Sequence, residues 1–368
     1  MTDGIQPITD GDRSARVEKA RRLMNEHKIA AVVMESGSSM YYFTGTRLGG
    51  DGVLVLPQHG ESIWLTRSPG APGNNRTWIT DDAKYRTIAG ALKDCGAATG
   101  RVAIEERARF AVFDGIRKEA PALEFTSADP VTAGCRMIKS PAEIALMQRA
   151  NDITVAAYRA ALGSLQEGMT QRELSANIAA AYEAMGVKGG AMAIFGKFTA
   201  FPHGSIEPQK LREGDLVLVD DGCTVEGYQS DVTRTVIFGK PTQRQRDIWN
   251  LERKAQDAAL AAAKPGATCE SVDAAARNVI TDAGFGPGYK VPGLPHRTGH
   301  GIGLDGHEWT YLVRGNKTRL EPGMCFSDEP TISIYGEFGV RLEDCLYITE
   351  DGARMFTRQS PAIDQPFG

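Results

Sequence analysis

Apolar residues fall at helical spacing in some stretches and in short continuous runs in others. Their alternation predicts an α/β arrangement in the first third of the chain. Residues 14–27, SARVEKARRLMNEH, predict an amphipathic helix with Val17, Leu23 and Met24 facing the core. The runs AAVVM (30–34), GVLVLP (52–57) and ESIWLT (61–66) predict strands. This pattern ends near Cys135.

A new helix signal follows in RMIKSPAEIALMQRAND. Ser140 is an N-cap residue type, Pro141 fits the first helical position, and Glu143 completes a capping box. Ile144, Met147, Ala150, Ile153 and Ala157 continue at helical spacing. The domain boundary is placed just before this helix, giving residues 1–137 and 138–368.

The second part repeats itself. EGMTQRELSANIAAAYEAMGV (167–187) is similar to PGATCESVDAAARNVITDAGF (265–285). Thr170 and Thr268 can each cap a helix, and Gly186 and Gly284 each suit its end. Each copy continues through Pro-His (Pro202-His203, Pro295-His296) and Leu-x-x-Gly (Leu211 to Gly214, Leu320 to Gly323). Each then reaches a carboxylate, Asp220 or Glu329. Two related half-domains with a site between them are expected.

Composition narrows the class. The 368 residues are 42% hydrophobic and 24% charged, as in an ordinary globular protein. A net charge of −4 leaves no electrostatic footprint for nucleic acid. No run of about 20 apolar residues offers a membrane span. The polar start MTDGIQPITDGDR is unlike a secretory signal. Six scattered cysteines without a C-x-x-C fit reduced thiols, and a cytoplasmic location is expected.

The candidate chemistry lies in two hairpins. LVLVDDGCTVEGYQSDVTRTVIF (216–238) predicts a turn at Glu226-Gly227. With Val225 facing Tyr228, Asp220 pairs with Thr233 and Asp231 with Gly222. Asp220 and Asp231 then project from one face as diagonal neighbours, where they repel unless a cation lies between them. Asp221 faces the other way and is expected to be structural or to support the ligands from behind. In MCFSDEPTISIYGEFGVRLEDCLYIT, a loop symmetric about Gly336 sets Glu329 opposite Glu343.

Histidines add to this set. His203, His296, His300 and His307 all lie in the second part, three of them in LPHRTGHGIGLDGHEW. Gly299, Gly301 and Gly303 predict close backbone approach and an exposed imidazole. Carboxylates with one histidine suit Mn²⁺, Co²⁺, Zn²⁺ or Fe²⁺ rather than a soft thiolate-bound metal. Four carboxylates and a histidine exceed what one small ion needs. Two ions about 3.5–4 Å apart would share them, activate a bridging water and polarise a carbonyl, which is the chemistry of amide or ester hydrolysis.

Taken together, His203 in FPHG, Asp220 in VDDG, Asp231 in GYQSDVTRT, His300 in TGHGIGLDGHE, Glu329 in SDEP and Glu343 in GVRLED resemble the pita-bread metallopeptidases. That family includes methionine aminopeptidase, aminopeptidase P, prolidase and creatinase. The resemblance covers residues 138–368 strongly and the N-terminal part more weakly, through YYFTG at 41–45. It implies an α+β fold: a C-terminal pita-bread domain with a pseudo-twofold repeat, preceded by a creatinase-like α/β domain.

The resemblance also implies roles. Asp220, Asp231 and Glu343 would hold one metal, and Asp231, His300, Glu329 and Glu343 the other. Glu329 would assist proton transfer. His203 and His307 would contact the scissile peptide and stabilise its tetrahedral intermediate. His296 would line the pocket for a proline ring, Arg341 would orient Asp220, and Tyr228 would stand behind the ligands.

The N-terminal domain argues against methionine aminopeptidase, and the complete ligand set argues against creatinase. Xaa-Pro cleavage remains. The compact length favours prolidase, acting on dipeptides, over aminopeptidase P, acting on longer peptides. A hydrolase or lyase for a non-peptide substrate is the further alternative. Manganese is the expected metal, with cobalt, zinc or iron as alternatives, and a homodimer is the expected assembly. Thr331, where the family commonly has glycine, and Trp309 are expected to alter the pocket wall.

Overall fold

The computed structural model describes residues 2–35, 37–47, 52–67, 73–78, 80 and 83–367. The chain forms two compact units, Pro7–Arg136, and Met137–Gly368 together with Met1–Gln6.

The smaller unit is built on a six-stranded sheet. Its strand Ala31–Glu35 runs antiparallel to Val53–Pro57 and parallel to Gly100–Ile104. These strands are continuous apolar runs because both of their faces are covered. The first helix spans Asp10–Glu26 and starts four residues before the expected run. Thr9 and Asp12 form its capping box, a signal lying upstream of the apolar pattern. Met24 is buried as expected, but the other buried positions are Arg16 and Ala20; Val17 and Leu23 are only half-buried. Arg16 reaches the interior because its guanidinium lies 4.0 Å over the Tyr42 ring and donates to the Tyr42 carbonyl at 2.7 Å.

The larger unit opens with the helix Pro141–Leu162, capped by Ser140 and Glu143 as expected. Its two halves repeat down to individual hydrogen bonds. The helices Gln171–Ala184 and Cys269–Asp282 are capped by the Thr170 and Thr268 side chains. In one half Gly168 N–H donates to Leu211 O and Leu211 N–H to Met169 O; in the other Gly266 donates to Leu320 and Leu320 to Ala267. All four bonds are 2.8 Å long. Gly186 and Gly284 end the helices at φ of +76° and +91°, where a side chain would be strained.

Both hairpins keep the expected register. Val225 faces Tyr228 and Asp220 faces Thr233. In the second copy Thr331 faces Arg341 and Asp328 faces Asp344, so Glu329 and Glu343 stand opposite each other. Neither hairpin is one continuous ladder, however. Leu216–Asp221 pairs with Val232–Ile237 in one sheet, and Cys223–Val225 pairs with Tyr228–Gln229 in another. The break falls at Asp221, with φ of +138°, and at Gly222, where a Cβ would collide with Ser230. It leaves Asp231 between ladders. Glu329 and Glu343 occupy the matching gap between the paired segments of the second copy. Each interruption frees carboxylates from the pleat and turns them toward a shared cavity.

Among the described residues no helix is long and apolar enough to cross a membrane.

Candidate active site

A cavity of about 620 Å³ lies between the two halves of the larger unit. Its lining includes His203, Asp220, Asp231, His296, His300, His307, Glu329, Arg341 and Glu343, so the structure brings together the expected metal ligands with the expected catalytic and substrate-contacting residues. Asp220, Asp231 and Glu343 form one group whose ligand atoms lie within 4.8 Å of one another, and His300, Glu329 and Glu343 form a second. A third group, Asp231, His300 and His307, was not expected.

His300 reverses one expectation. Its side chain is 1% exposed, not open to solvent. Gly299 and Gly301 do permit close approach, to Ser327 and Glu308, but the imidazole between them is buried. The Nδ1 atom lies 3.1 Å from the Gly301 carbonyl, which only accepts, so Nδ1 carries the hydrogen. The Nε2 lone pair therefore faces Glu329 at 3.3 Å and Asp231 at 3.7 Å. Burial, then the neighbouring His307, holds this imidazole down to about 3, so the ring is neutral. A lone pair aimed at two carboxylates is repulsive unless a cation stands between them.

The carboxylates show the same tension. Burial, then the Asp220 charge, raises Asp231 well above the usual range. Burial, then Asp231, does the same to Glu343. Burial pushes Glu329 up to about 7 although Arg341 pulls the other way. Glu343 Oε1 is buried without a hydrogen-bond partner. Mutual repulsion, an orphaned oxygen and an oxygen-rich donor set with one imidazole fit divalent cations.

Supporting residues fix these groups. Arg341 pairs with Asp220, as expected, and also donates to Thr233 Oγ1 at 3.1 Å and Pro202 O at 3.0 Å. Thr233 had been assigned no role, yet its hydroxyl lies 2.8 Å from Asp220 and 2.6 Å from Glu343. Its place opposite Asp220 in the hairpin was the available signal. The Tyr228 hydroxyl donates to Glu143 at 2.7 Å.

His296 and His307 differ in what they can offer. His296 donates from Nδ1 to Arg297 O at 2.7 Å, so its Nε2 accepts from the Thr331 hydroxyl at 3.0 Å. Both nitrogens are engaged, and the ring presents apolar surface. His307 Nδ1 accepts from Arg297 at 3.0 Å, which places its hydrogen on Nε2. Its ring lies 3.9 Å from that of His300.

Thr331 and Trp309 are not among the residues lining the cavity. Thr331 is buried behind His296, and Trp309 is 44% exposed. Arg297, Asp221, Gln229, Ser230, Met192 and Val313 line the cavity without having been foreseen. Asp221, expected to point away as a structural or supporting residue, reaches the wall because the ladder breaks at its own backbone.

The chain belongs to metallopeptidase family M24, whose pattern matches residues 145–350; residues 16–138 match the creatinase/prolidase N-terminal domain. It is a metallopeptidase with a creatinase-like N-terminal domain and a pita-bread catalytic domain. The Xaa-Pro dipeptidase of Pyrococcus furiosus is 31% identical over 348 residues, covering 93% of this chain and 97% of that one. The crystal structure of a dipeptidase from Pyrococcus horikoshii superposes with a TM-score of 0.87 at 30% identity, over 96% of this chain and 99% of that one. Dipeptidase PepE from Mycobacterium ulcerans gives 0.88 at 30% identity, over 99% and 100%.

Proposed function

We propose that this protein hydrolyses the Xaa-Pro bond of dipeptides with two divalent cations. The His300 Nε2 lone pair, set against carboxylates contributed by both hairpins, is the observation that carries the metal site. The relatives named as Xaa-Pro dipeptidases support the substrate. Asp220, Asp231 and Glu343 would hold one cation, and Asp231, His300, Glu329 and Glu343 the other. When bound, the cations supply an acidified water and a Lewis acid for the scissile carbonyl.

The protein's own groups do the rest. Arg341 and Thr233 orient Asp220 and Glu343. The Glu329 carboxylate accepts a proton and returns it to the leaving nitrogen. Nε2–H of His307 donates to the oxygen that gains charge, and His203, exposed and lining the same cavity, contributes a second donor. His296 offers its ring to proline. A Xaa-Pro amide has no N–H, so a pocket that recognises ring surface instead of a donor suits it.

We assign catalysis to residues 138–368, with 1–137 as the N-terminal domain. Manganese fits the oxygen-rich donors. A cytoplasmic location fits six free cysteines. A homodimer follows from the resemblance to prolidases.

The test is release of proline from Ala-Pro, against cleavage of Ala-Pro-Ala, in metal-stripped protein with and without Mn²⁺. Metal-restored cleavage of the dipeptide alone is expected. Cleavage of both would make it an Xaa-Pro aminopeptidase, and cleavage of neither with metal bound would overturn the reading.

A further inference from the structure

The break in the first hairpin turns into the cavity one acid that the proposed cation site does not use. Asp221 lines the cavity and is exposed, yet it belongs to none of the carboxylate and histidine groups able to hold a metal. Its Oδ1 accepts from the Gly222 N–H at 2.9 Å. Among the described residues its Oδ2 has no hydrogen-bond donor, and no basic side chain pairs with the carboxylate. The charge that bears on it is that of Asp220, which has the same sign.

The backbone is strained to put this acid there. Asp221 has a φ of +138°, a region that L side chains rarely adopt. Glycine stands beside it at 222 but carries no positive φ, and a Cβ there would collide with Ser230. The strained residue is therefore the acid and not its glycine neighbour. The Tyr158 hydroxyl, from the helix Pro141–Leu162, donates to the Asp221 carbonyl at 2.9 Å and holds the peptide in place. Strain imposed by the surroundings in this way concentrates at sites that bind ligands.

The wall beside Asp221 suits a long side chain with a charged tip. Met192, the cross-strand partner of Asp220, lines the same cavity and offers a pliable apolar surface to a methylene stem. An ammonium or guanidinium at the end of that stem would meet the carboxylate. The α-amino group of a dipeptide is not equivalent. It is joined through Cα to the scissile carbonyl carbon, so it stays beside the carboxylates that would hold the cations. A lysine or arginine tip is carried a full side-chain length farther, past those groups.

We propose that Asp221 is a specificity-determining residue that selects a basic side chain, lysine or arginine, in the residue before proline. This inference rests on the peptidase reading of the site. The carboxylate pairs with the cationic tip of that side chain, and Met192 packs on its stem. A neutral side chain of similar length fills the same space and leaves the carboxylate unpaired.

Lysyl-proline, norleucyl-proline and alanyl-proline test the proposal, since norleucine has a lysine-like stem without the charge. Each is assayed with the Mn²⁺-loaded full chain and with Asp221→Asn and Asp221→Gly. Asparagine keeps an acceptor for the Gly222 N–H while removing the charge. Glycine removes the side chain at a φ that favours glycine. Thermal melting and metal content establish that the variants fold and load. The unaltered protein should favour lysyl-proline over norleucyl-proline by about 10-fold in kcat/KM, the lower end of the scale for a charged hydrogen bond. Both variants should abolish that preference, chiefly through the KM for lysyl-proline. No preference in the unaltered protein, or its survival in either variant, would overturn the proposal. A fall by one common factor for all three substrates would also overturn it, by placing Asp221 at the α-amino group they share. Loss of metal from Asp221→Asn would do so by placing this residue among the ligands. If the unaltered protein cleaves none of the three with metal bound, the peptidase reading fails and this inference falls with it.

Discussion

Thr233 and Glu343 are bonded three times over: the two backbones exchange N–H···O bonds of 3.2 and 3.1 Å, and the Thr233 hydroxyl lies 2.6 Å from the Glu343 carboxylate. One residue belongs to the first hairpin and the other to the second, so this contact is where the two halves meet at the proposed cation site. Thr233→Val keeps the shape and the backbone bridge but removes the hydroxyl. Loss of such a supporting bond costs about 10- to 100-fold in metal affinity. Competition with a chelator should show that loss, with an unchanged far-ultraviolet spectrum.

His307 decides between two groupings. Its ring nitrogen lies close enough to Asp231 and His300 to count as a third donor, whereas the proposed mechanism uses it on the substrate. Asp231→Ala and Glu343→Ala should abolish both metal content and turnover. His307→Ala should keep its metal and lose about 100-fold or more in kcat, the scale of one lost oxyanion donor. Metal analysis showing an empty His307→Ala site would transfer this residue to the ligand set.

Lys139 and Glu308 form an ion pair at 3.1 Å with side chains only 2% and 5% exposed. Glu308 also accepts from the N–H groups of Leu304 and Asp305, pinning the loop that ends at His307. Lys139→Met leaves a buried carboxylate without its cation and should cost about 3–5 kcal/mol of stability. In the double variant Lys139→Met/Glu308→Gln, the glutamine oxygen can still accept both N–H bonds. Denaturant titration should show it recovering more than half of that loss.

Cation binding should tighten as pH rises through about 7. In metal-free protein Glu329 is raised from 4.5 to about 7, and Asp231 and Glu343 are raised as well. Between those values the folded chain holds protons that the unfolded chain has released. Stability from these groups is therefore present at low pH and lost as pH climbs through the folded value. A cation reverses the trend because it binds the deprotonated form and expels the protons. Calorimetric titration of Mn²⁺ in buffers of different ionisation heat should register net proton release near pH 6. No release would contradict the assignment of these carboxylates as ligands.

Much of this site was legible because strand parity is strict. Counting outward from Glu226-Gly227 and from Gly336 places Asp220 against Thr233 and Glu329 against Glu343 without coordinates. What parity could not reveal is where a ladder breaks. Asp221 reaches the cavity only because its backbone leaves the β region, and the charged residue and following glycine give no periodic signal of that. The buried His300 was missed for a related reason: glycines announce close approach but not what closes over the neighbouring ring. The first helix starts upstream of its expected run because its cap, Thr9, lies outside the hydrophobic pattern that betrays a helix.

The bond between Thr233 and Glu343 spans 110 residues of sequence. Each hairpin and its capped helices can form from near neighbours, but the proposed cation site closes only when the halves dock, after a long loop has been drawn shut. Catalytic competence is thus among the last properties this chain acquires as it folds. During refolding, helical signal should return well before the protein can capture a metal ion.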